Sequence, residues 1–158
     1  MPLHYVGIRV TDLRRSLAFY RRALGLREAI RGDFRKYGRG IWVGLKDPKS
    51  GVMLELNWYP KGSPFGTQYV AGEGLDHIGV LLGAVGRKKL SREYDRLLRA
   101  GARPTGISPE TTDGWAAYVT DPDGNWIEIF RRPTAAESRA EARAKARRHR
   151  RPSSRSRD

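Results

Sequence analysis

Two glutamates and one histidine are the residues of this sequence best suited to chemistry. Glu55 and Glu128 each lie between two large aliphatic residues, in runs typical of β-strands. Burying a carboxylate in an apolar strand is costly unless its charge is compensated, so two such carboxylates at corresponding positions suggest one shared cation. Together with His77 they form a donor set suited to Mn, Fe, Co, Ni or Zn, with water in the open positions.

The same three residues also have a simpler interpretation. Either glutamate could face solvent on a half-exposed strand whose Leu and Ile residues point inward. An isolated histidine is more often a hydrogen-bonded structural residue than a ligand. The corresponding positions of Glu55 and Glu128, and the place of His77 at the start of the second half of a repeat, favour a functional site.

The repeat consists of two units with the same order of elements, strand–helix–strand–strand–strand. In the first, Asp12 is a predicted helix N-cap and Gly25 the helix stop, and residues 31–40 read as a turn region. Tyr5 is 50 residues from Glu55, and His77 is 51 residues from Glu128. The predicted strands are 5–10, 26–30, 41–45 and 52–58 in the first unit, and 77–80, 103–107, 115–120 and 126–130 in the second.

These elements predict an α+β fold built from two tandem βαβββ modules. The modules cover residues 1–59 and 75–133, and the Pro/Gly-rich residues 60–74 link them. The chain has 158 residues and no cysteine, which excludes disulfide scaffolds and thiolate metal sites. It shows no apolar run long enough to span a membrane and no signal-peptide pattern, so a soluble, cytoplasmic protein is expected.

The charge is concentrated in the last segment. The formal net charge is +14, and residues 134–158 contribute nine Lys or Arg against three acidic residues. This tail has no aromatic residue and no Leu, Ile, Val or Met, so it is expected to be disordered or a frayed, solvated helix. Such a tail could contact nucleic acid electrostatically. The absence of aromatics and of any nucleic-acid-binding motif favours a solvated segment without a specific role.

Six short motifs occur along residues 3–131: 7–13 (GIRVTDL), 16–20 (SLAFY), 24–26 (LGL), 54–56 (LEL), 75–80 (LDHIGV) and 121–128 (DPDGNWIE). With these motifs the sequence resembles the vicinal oxygen chelate superfamily, which includes glyoxalase I, methylmalonyl-CoA epimerase, fosfomycin-resistance proteins and extradiol dioxygenases. The resemblance implies two modules whose curved mixed sheets surround a central cleft with a metal.

The resemblance implies that Glu55, His77 and Glu128 are metal ligands. Where the superfamily often has a histidine in the first strand, the repeat register gives Tyr5, and His4 lies one residue earlier. Three possibilities follow: Tyr5 donates a hydrogen bond in the site, a β-bulge turns His4 towards it, or the protein supplies only three ligands.

The resemblance also implies a reaction class. Both glutamates suit the glyoxalase I branch, in which a metal-stabilised enediolate forms on a small oxygenated substrate and a glutamate moves a proton between adjacent carbons. Glu128 is the preferred proton shuttle and Glu55 the alternative, while Arg9, Asn57 and Trp126 are candidate substrate-binding residues. An extradiol-type dioxygenase and a non-enzymatic drug-binding resistance protein are the alternatives, and a homodimer is expected.

Overall fold

A computed structural model of the protein describes residues 4–33, 39–63 and 75–149. The first module consists of β1 (Tyr5–Arg9), α1 (Leu13–Leu24), β2 (Arg27–Asp33), β3 (Ile41–Lys46) and β4 (Met53–Trp58). The second consists of β5 (His77–Ala84), α2 (Arg87–Arg99), β6 (Arg103–Pro104), β7 (Ala116–Thr120) and β8 (Trp126–Arg132), and α3 (Ala135–His149) follows it.

Each module forms its own four-stranded mixed sheet. The strand orders are β1-β4-β3-β2 and β5-β8-β7-β6. In both sheets the first strand of the module lies at the edge and pairs in parallel with the last strand of the module. The register repeats as well, because Gly7 lies opposite Glu55 and Gly79 lies opposite Glu128. The α+β fold of two related four-stranded sheets is therefore confirmed.

Helix α1 begins and ends at its predicted caps. The Asp12 carboxylate accepts a hydrogen bond from the backbone N–H of Arg15, as an N-cap residue does. Gly25 closes the helix with φ of 70°, a left-handed conformation that favours glycine. The helix buries one face, which includes Leu17, Phe19, Tyr20 and Ala23.

Four strands differ from the prediction by two residues or more at their ends: β2, β5 and β8 run further than predicted, and β6 is shorter. Strand β2 runs through Asp33, into the predicted turn region, because residues 31–33 pair with the start of β3. Gly32 permits this pairing, since a Cβ there would lie 2.5 Å from the Trp42 ring. Strand β6 has only two residues, because the chain bends after Pro104 and the Thr105 hydroxyl donates to the carbonyl of Tyr118. Residues 34–38 and 64–74, the rest of the predicted turn and most of the linker, lie outside the described residues.

A continuous apolar core covers one face of each sheet. In the first module its strand residues include Val43, Leu45 and Leu56, and in the second Ile127 and Ile129. Helices α1 and α2 contribute side chains to the same core.

The two modules are joined through α1 and the turn before β8. The Asp123 carboxylate accepts hydrogen bonds from Thr11, Arg15 and Ser16. The Tyr20 hydroxyl donates to the buried Asp121 at 2.8 Å. The module contacts of α1 therefore combine a buried polar network with the apolar core.

The start of the basic tail is an ordered helix. Residues 135–149 form α3, so for them the structure shows the helix rather than the disordered chain, and residues 150–158 lie outside the described ranges. Within the described part of the chain, no helix is both long and apolar enough to cross a membrane.

Candidate metal and substrate site

The two glutamates lie on the sheet faces that point away from the core. Glu55 shares its face with Met53 and Asn57, while the alternating residues Leu54 and Leu56 are buried. Glu128 follows the same alternation in β8, and its side chain is 21% exposed. Both carboxylates are thus half-buried on open faces rather than sealed in the core.

The second module brings His77 and Glu128 together. His77 Nε2 lies 3.4 Å from Glu128 Oε2, on neighbouring strands of the open face. Its other ring nitrogen, Nδ1, lies 2.6 Å from an Asp76 carboxylate oxygen. The hydrogen bond with Asp76, assisted by the negative charge of Glu128, raises the pKa of His77 despite partial desolvation.

Asp76 is the site residue that pattern reasoning missed. Its carboxylate holds Nδ1 of His77, which leaves Nε2 directed towards Glu128. Metal-binding histidines are commonly oriented in this way, by a carboxylate on the nitrogen that does not bind the metal. The sequence signal was the acid directly before the histidine.

Two aromatic residues border the His77–Glu128 pair. The Tyr118 ring meets the His77 ring edge-on, with centroids 5.6 Å apart, and Trp126 lies 5.9 Å beyond Tyr118. Burial, together with the hydrogen bond to Glu128 and its charge, raises the pKa of the Tyr118 phenol. His77 and Glu128 are therefore bordered by two aromatic rings and by the neutral hydroxyl group of Tyr118.

Tyr5 occupies the first-module position that His77 occupies in the second. Tyr5 lies opposite Met53, as His77 lies opposite Trp126. The pairing of β1 with β4 runs from Tyr5 to Arg9 without a register shift. His4 precedes β1 and is exposed.

A glycine stands opposite each glutamate and leaves space beside its carboxylate. A Cβ at Gly7 would lie 3.7 Å from Glu55 Oε1, and one at Gly79 would lie 3.9 Å from Glu128 Oε2. In the first module, Asn57 Nδ2 donates to Glu55 Oε1 at 3.1 Å. The open faces of the two sheets therefore share one feature, a glycine beside the carboxylate.

The other candidate substrate-binding residues lie beside these groups. Arg9 is opposite Asn57 in the first sheet, and its guanidinium carbon lies 4.9 Å from the centroid of the Tyr59 ring. Trp126 is opposite His77 in the second sheet. The first open face thus offers a cation and an amide, and the second an indole.

Comparison with known proteins assigns the family. Residues 2–129 match the family model described as the Glyoxalase/Bleomycin resistance protein/Dioxygenase superfamily. The chain belongs to this superfamily. The resemblance drawn from the sequence motifs is thereby confirmed.

Three members of the superfamily illustrate the range of similarity. A probable lactoylglutathione lyase of Vibrio parahaemolyticus is 28% identical over 134 residues, which are 82% of this chain and 89% of that protein. The trypanothione-dependent glyoxalase I of Leishmania major is 26% identical, with a TM-score of 0.62 over 94% of this chain and 97% of that one. The fosfomycin resistance protein FosX of Listeria monocytogenes, solved with Mn(II) and sulfate, is 14% identical and shares the fold, with a TM-score of 0.58 over 87% of this chain and 96% of that one.

In this superfamily chain the predicted ligands do not all come together. Among residues 4–33, 39–63 and 75–149, no three His, Asp or Glu side chains are grouped so that they could hold one metal ion. Glu55 belongs to the first sheet, and His77 and Glu128 belong to the second. The reason lies in the module contacts, because α1 joins the modules on the core side of the first sheet, opposite Glu55.

Within the described residues, one chain therefore presents two separate donor groups. The second-module group, His77 with Glu128, has nitrogen and oxygen donors of the kind that suit a borderline divalent cation. The first-module group consists of Glu55 with Tyr5 in the corresponding strand position.

Proposed function

We propose that this protein is a divalent-metal-dependent lyase or isomerase of the glyoxalase I type that acts on a small oxygenated substrate. The observation that carries the proposal is the His77–Glu128 pair, oriented by Asp76 on an open sheet face and repeated in part by Glu55. Relatives that bear the name lactoylglutathione lyase support this class of reaction. The metal is one of Ni, Zn, Co, Mn or Fe.

The site is completed by a second copy of the chain. Glu55 and Tyr5 of one copy meet His77 and Glu128 of the other, and a twofold-symmetric dimer contains two such sites. Apolar side chains on the open faces suit an interface, since Tyr5 is 47%, Ile30 48% and Leu81 41% exposed.

Glu128 moves the proton in the proposed reaction. Its carboxylate takes the proton from the substrate carbon that carries a hydroxyl and returns it to the neighbouring carbonyl carbon. The hydroxyl proton passes to the former carbonyl oxygen, so no atom is gained or lost and the product is an isomer. When bound, the divalent cation supplies the positive charge that stabilises negative charge on the substrate oxygens.

Other residues of the chain hold the substrate and the donors in place. Asp76 fixes the orientation of His77. Tyr5 acts as a hydrogen-bond donor, because a phenol is a poor ligand for a divalent metal. Arg9 binds an anionic group of the substrate, and Trp126 covers an apolar part of it.

The test is a metal and substrate screen on purified protein. Metal is removed with a chelator, each divalent cation is added back separately, and isomerisation of methylglyoxal hemithioacetals is followed as thioester formation. Glu128→Gln is expected to lower the rate about 10²- to 10⁴-fold, as loss of a general base does. The matched control, Glu110→Gln at an exposed loop position, leaves the rate unchanged.

Three results would contradict the proposal. Equal activity in Glu128→Gln and the control would exclude Glu128 as the proton shuttle. Ring cleavage of catechols with iron and no isomerisation would favour the dioxygenase alternative. Absence of both activities, with no thermal shift on addition of any cation, would favour the drug-binding alternative.

A further inference from the structure

The basic helix α3 starts from a buried anchor. Arg131, at the end of β8, has a fully buried side chain and forms a two-armed ion pair with Glu137 of α3, at 2.8 and 2.9 Å. Two further donors of the guanidinium bond the carbonyls of Gly114 and Val85, at 2.6 and 2.9 Å. The guanidinium also lies 4.2 Å from the centroid of the Trp115 ring.

The first turn of α3 is capped by the same glutamate. The backbone N–H of Thr134 donates to Glu137 Oε2 at 2.8 Å, and the backbone N–H of Glu137 donates to Thr134 Oγ1 at 3.2 Å. This reciprocal pattern is a capping box. The hydrogen bonds from Arg131 and Thr134 lower the pKa of Glu137 to about 2, so the anchor stays ionised at neutral pH.

Beyond the anchor, α3 presents charge to solvent. Every side chain from residue 138 to 146 is exposed, including Arg139, Arg143 and Lys145. Residues 138–149 contain five Lys or Arg and one acidic residue. The fold therefore fixes the start of the helix and leaves its cationic surface uncovered along the described side chains.

We propose that α3 is an electrostatic arm that binds the phosphate backbone of a duplex nucleic acid without reading its sequence. The 15-residue helix is about 22 Å long. One strand of a duplex presents about six phosphates over that length. Arg139 and Arg143 lie one turn apart, on the same side of the helix.

The composition of the tail selects this partner over others. It contains no large apolar or aromatic residue, so it lacks the apolar face with which an interfacial helix enters a lipid surface. For the same reason it lacks the Phe, Tyr and Trp rings on which proteins that bind single strands usually stack unpaired bases. The tail therefore offers mainly positive charge, carried by basic residues that are separated by alanines, and this charge is complementary to the phosphates of a duplex. The inference does not depend on the proposed enzymatic function.

The test measures binding to a fluorescent duplex of about 20 base pairs over a series of salt concentrations. The arm variant carries Arg139→Gln and Arg143→Gln. A control variant, Arg14→Gln and Lys88→Gln, removes the same number of charges from exposed positions of α1 and α2. Circular dichroism verifies that both variants keep their helix content.

The arm variant is expected to reduce the slope of log affinity against log salt by about 1.8, because each of the two lost phosphate contacts removes about 0.9. Between about 50 and 200 mM salt, the wild-type affinity then falls about 12-fold more than that of the arm variant. The control variant is expected to keep the wild-type slope. Equal slope losses in both variants, no salt-dependent duplex binding by the wild type, or binding to anionic lipid vesicles alone would each overturn the proposal.

Discussion

Asp123 holds the two modules together, and its replacement by asparagine tests how much the junction contributes to stability. The Asp123 side chain has no exposed surface. It accepts hydrogen bonds from the Thr11 backbone N–H at 3.0 Å, from Arg15 at 2.7 Å and from the Ser16 hydroxyl at 2.7 Å, in addition to the Thr11 hydroxyl. Burial raises its pKa, but these hydrogen bonds outweigh burial and keep the pKa below its ordinary value.

The expected loss for Asp123→Asn is about 2–4 kcal/mol. The amide keeps one acceptor oxygen, so at least one donor that now faces a carboxylate oxygen loses its partner, which costs about 1.5–3 kcal/mol for a bond to a charged group. The ion pair with Arg15 adds about 1 kcal/mol or less, because Arg15 is 43% exposed.

Urea unfolding followed by circular dichroism measures this loss. The control Asp95→Asn, at an exposed position of α2, is expected to change stability by less than about 0.5 kcal/mol. Since the folded-state pKa of Asp123 is depressed, its contribution is complete above the ordinary carboxyl range and disappears as the pH falls through the lowered pKa. A loss no larger than that of the control, or one that does not shrink in acid, would refute the role given to Asp123.

Two further changes test the anchor of α3 and the orientation of His77. Glu137→Gln leaves Arg131 buried without its carboxylate partner, so far-UV circular dichroism should show less helix in the variant. In the wild type the same loss of helix should begin only as the pH falls towards the Glu137 pKa of about 2. Unchanged helix content in the variant would contradict the anchoring role of Glu137. Asp76→Ala removes the partner of His77 Nδ1 and should weaken divalent-metal affinity about tenfold, measured by competition with a chelating dye. The control Asp95→Ala should keep the wild-type affinity. Equal affinities in the two variants would exclude the orienting role of Asp76.

The strand alternation and the helix caps were readable from the sequence. The period of two in each strand placed Glu55 and Glu128 on the faces opposite their aliphatic neighbours, as the structure confirms. Asp12 and Gly25 predicted the ends of α1 because their local chemistry is independent of the rest of the fold. The internal repeat predicted that Tyr5 and His77 share a register, which the strand pairing confirms.

The ordered start of the tail could be predicted only in part. The Thr134–Glu137 spacing is a capping-box signal in the sequence. The other half of the anchor, Arg131, was not readable, because an arginine at the end of a strand is usually exposed and here its side chain is fully buried.

The relative placement of the modules could not be read from local patterns. It depends on contacts between residues far apart in the chain, such as Tyr20 with Asp121 and Arg22 with the carbonyl of Ala100. Within the described part of one chain, Glu55 is not grouped with His77 and Glu128. Each donor group follows from the strand alternation of its own module, while the proposed meeting of the two groups depends on tertiary and quaternary structure.

Complementation between two inactive variants tests the two-copy site most directly. Glu55→Gln and Glu128→Gln chains, each dimeric and inactive alone, are mixed in equal amounts under conditions that exchange subunits, and isomerase activity is measured. Half of all dimers are then mixed, and each mixed dimer carries one intact site of two, so the activity should return to about a quarter of the wild-type value. Activity that stays at the level of the separate variants would show that Glu55 and Glu128 do not act together across two copies.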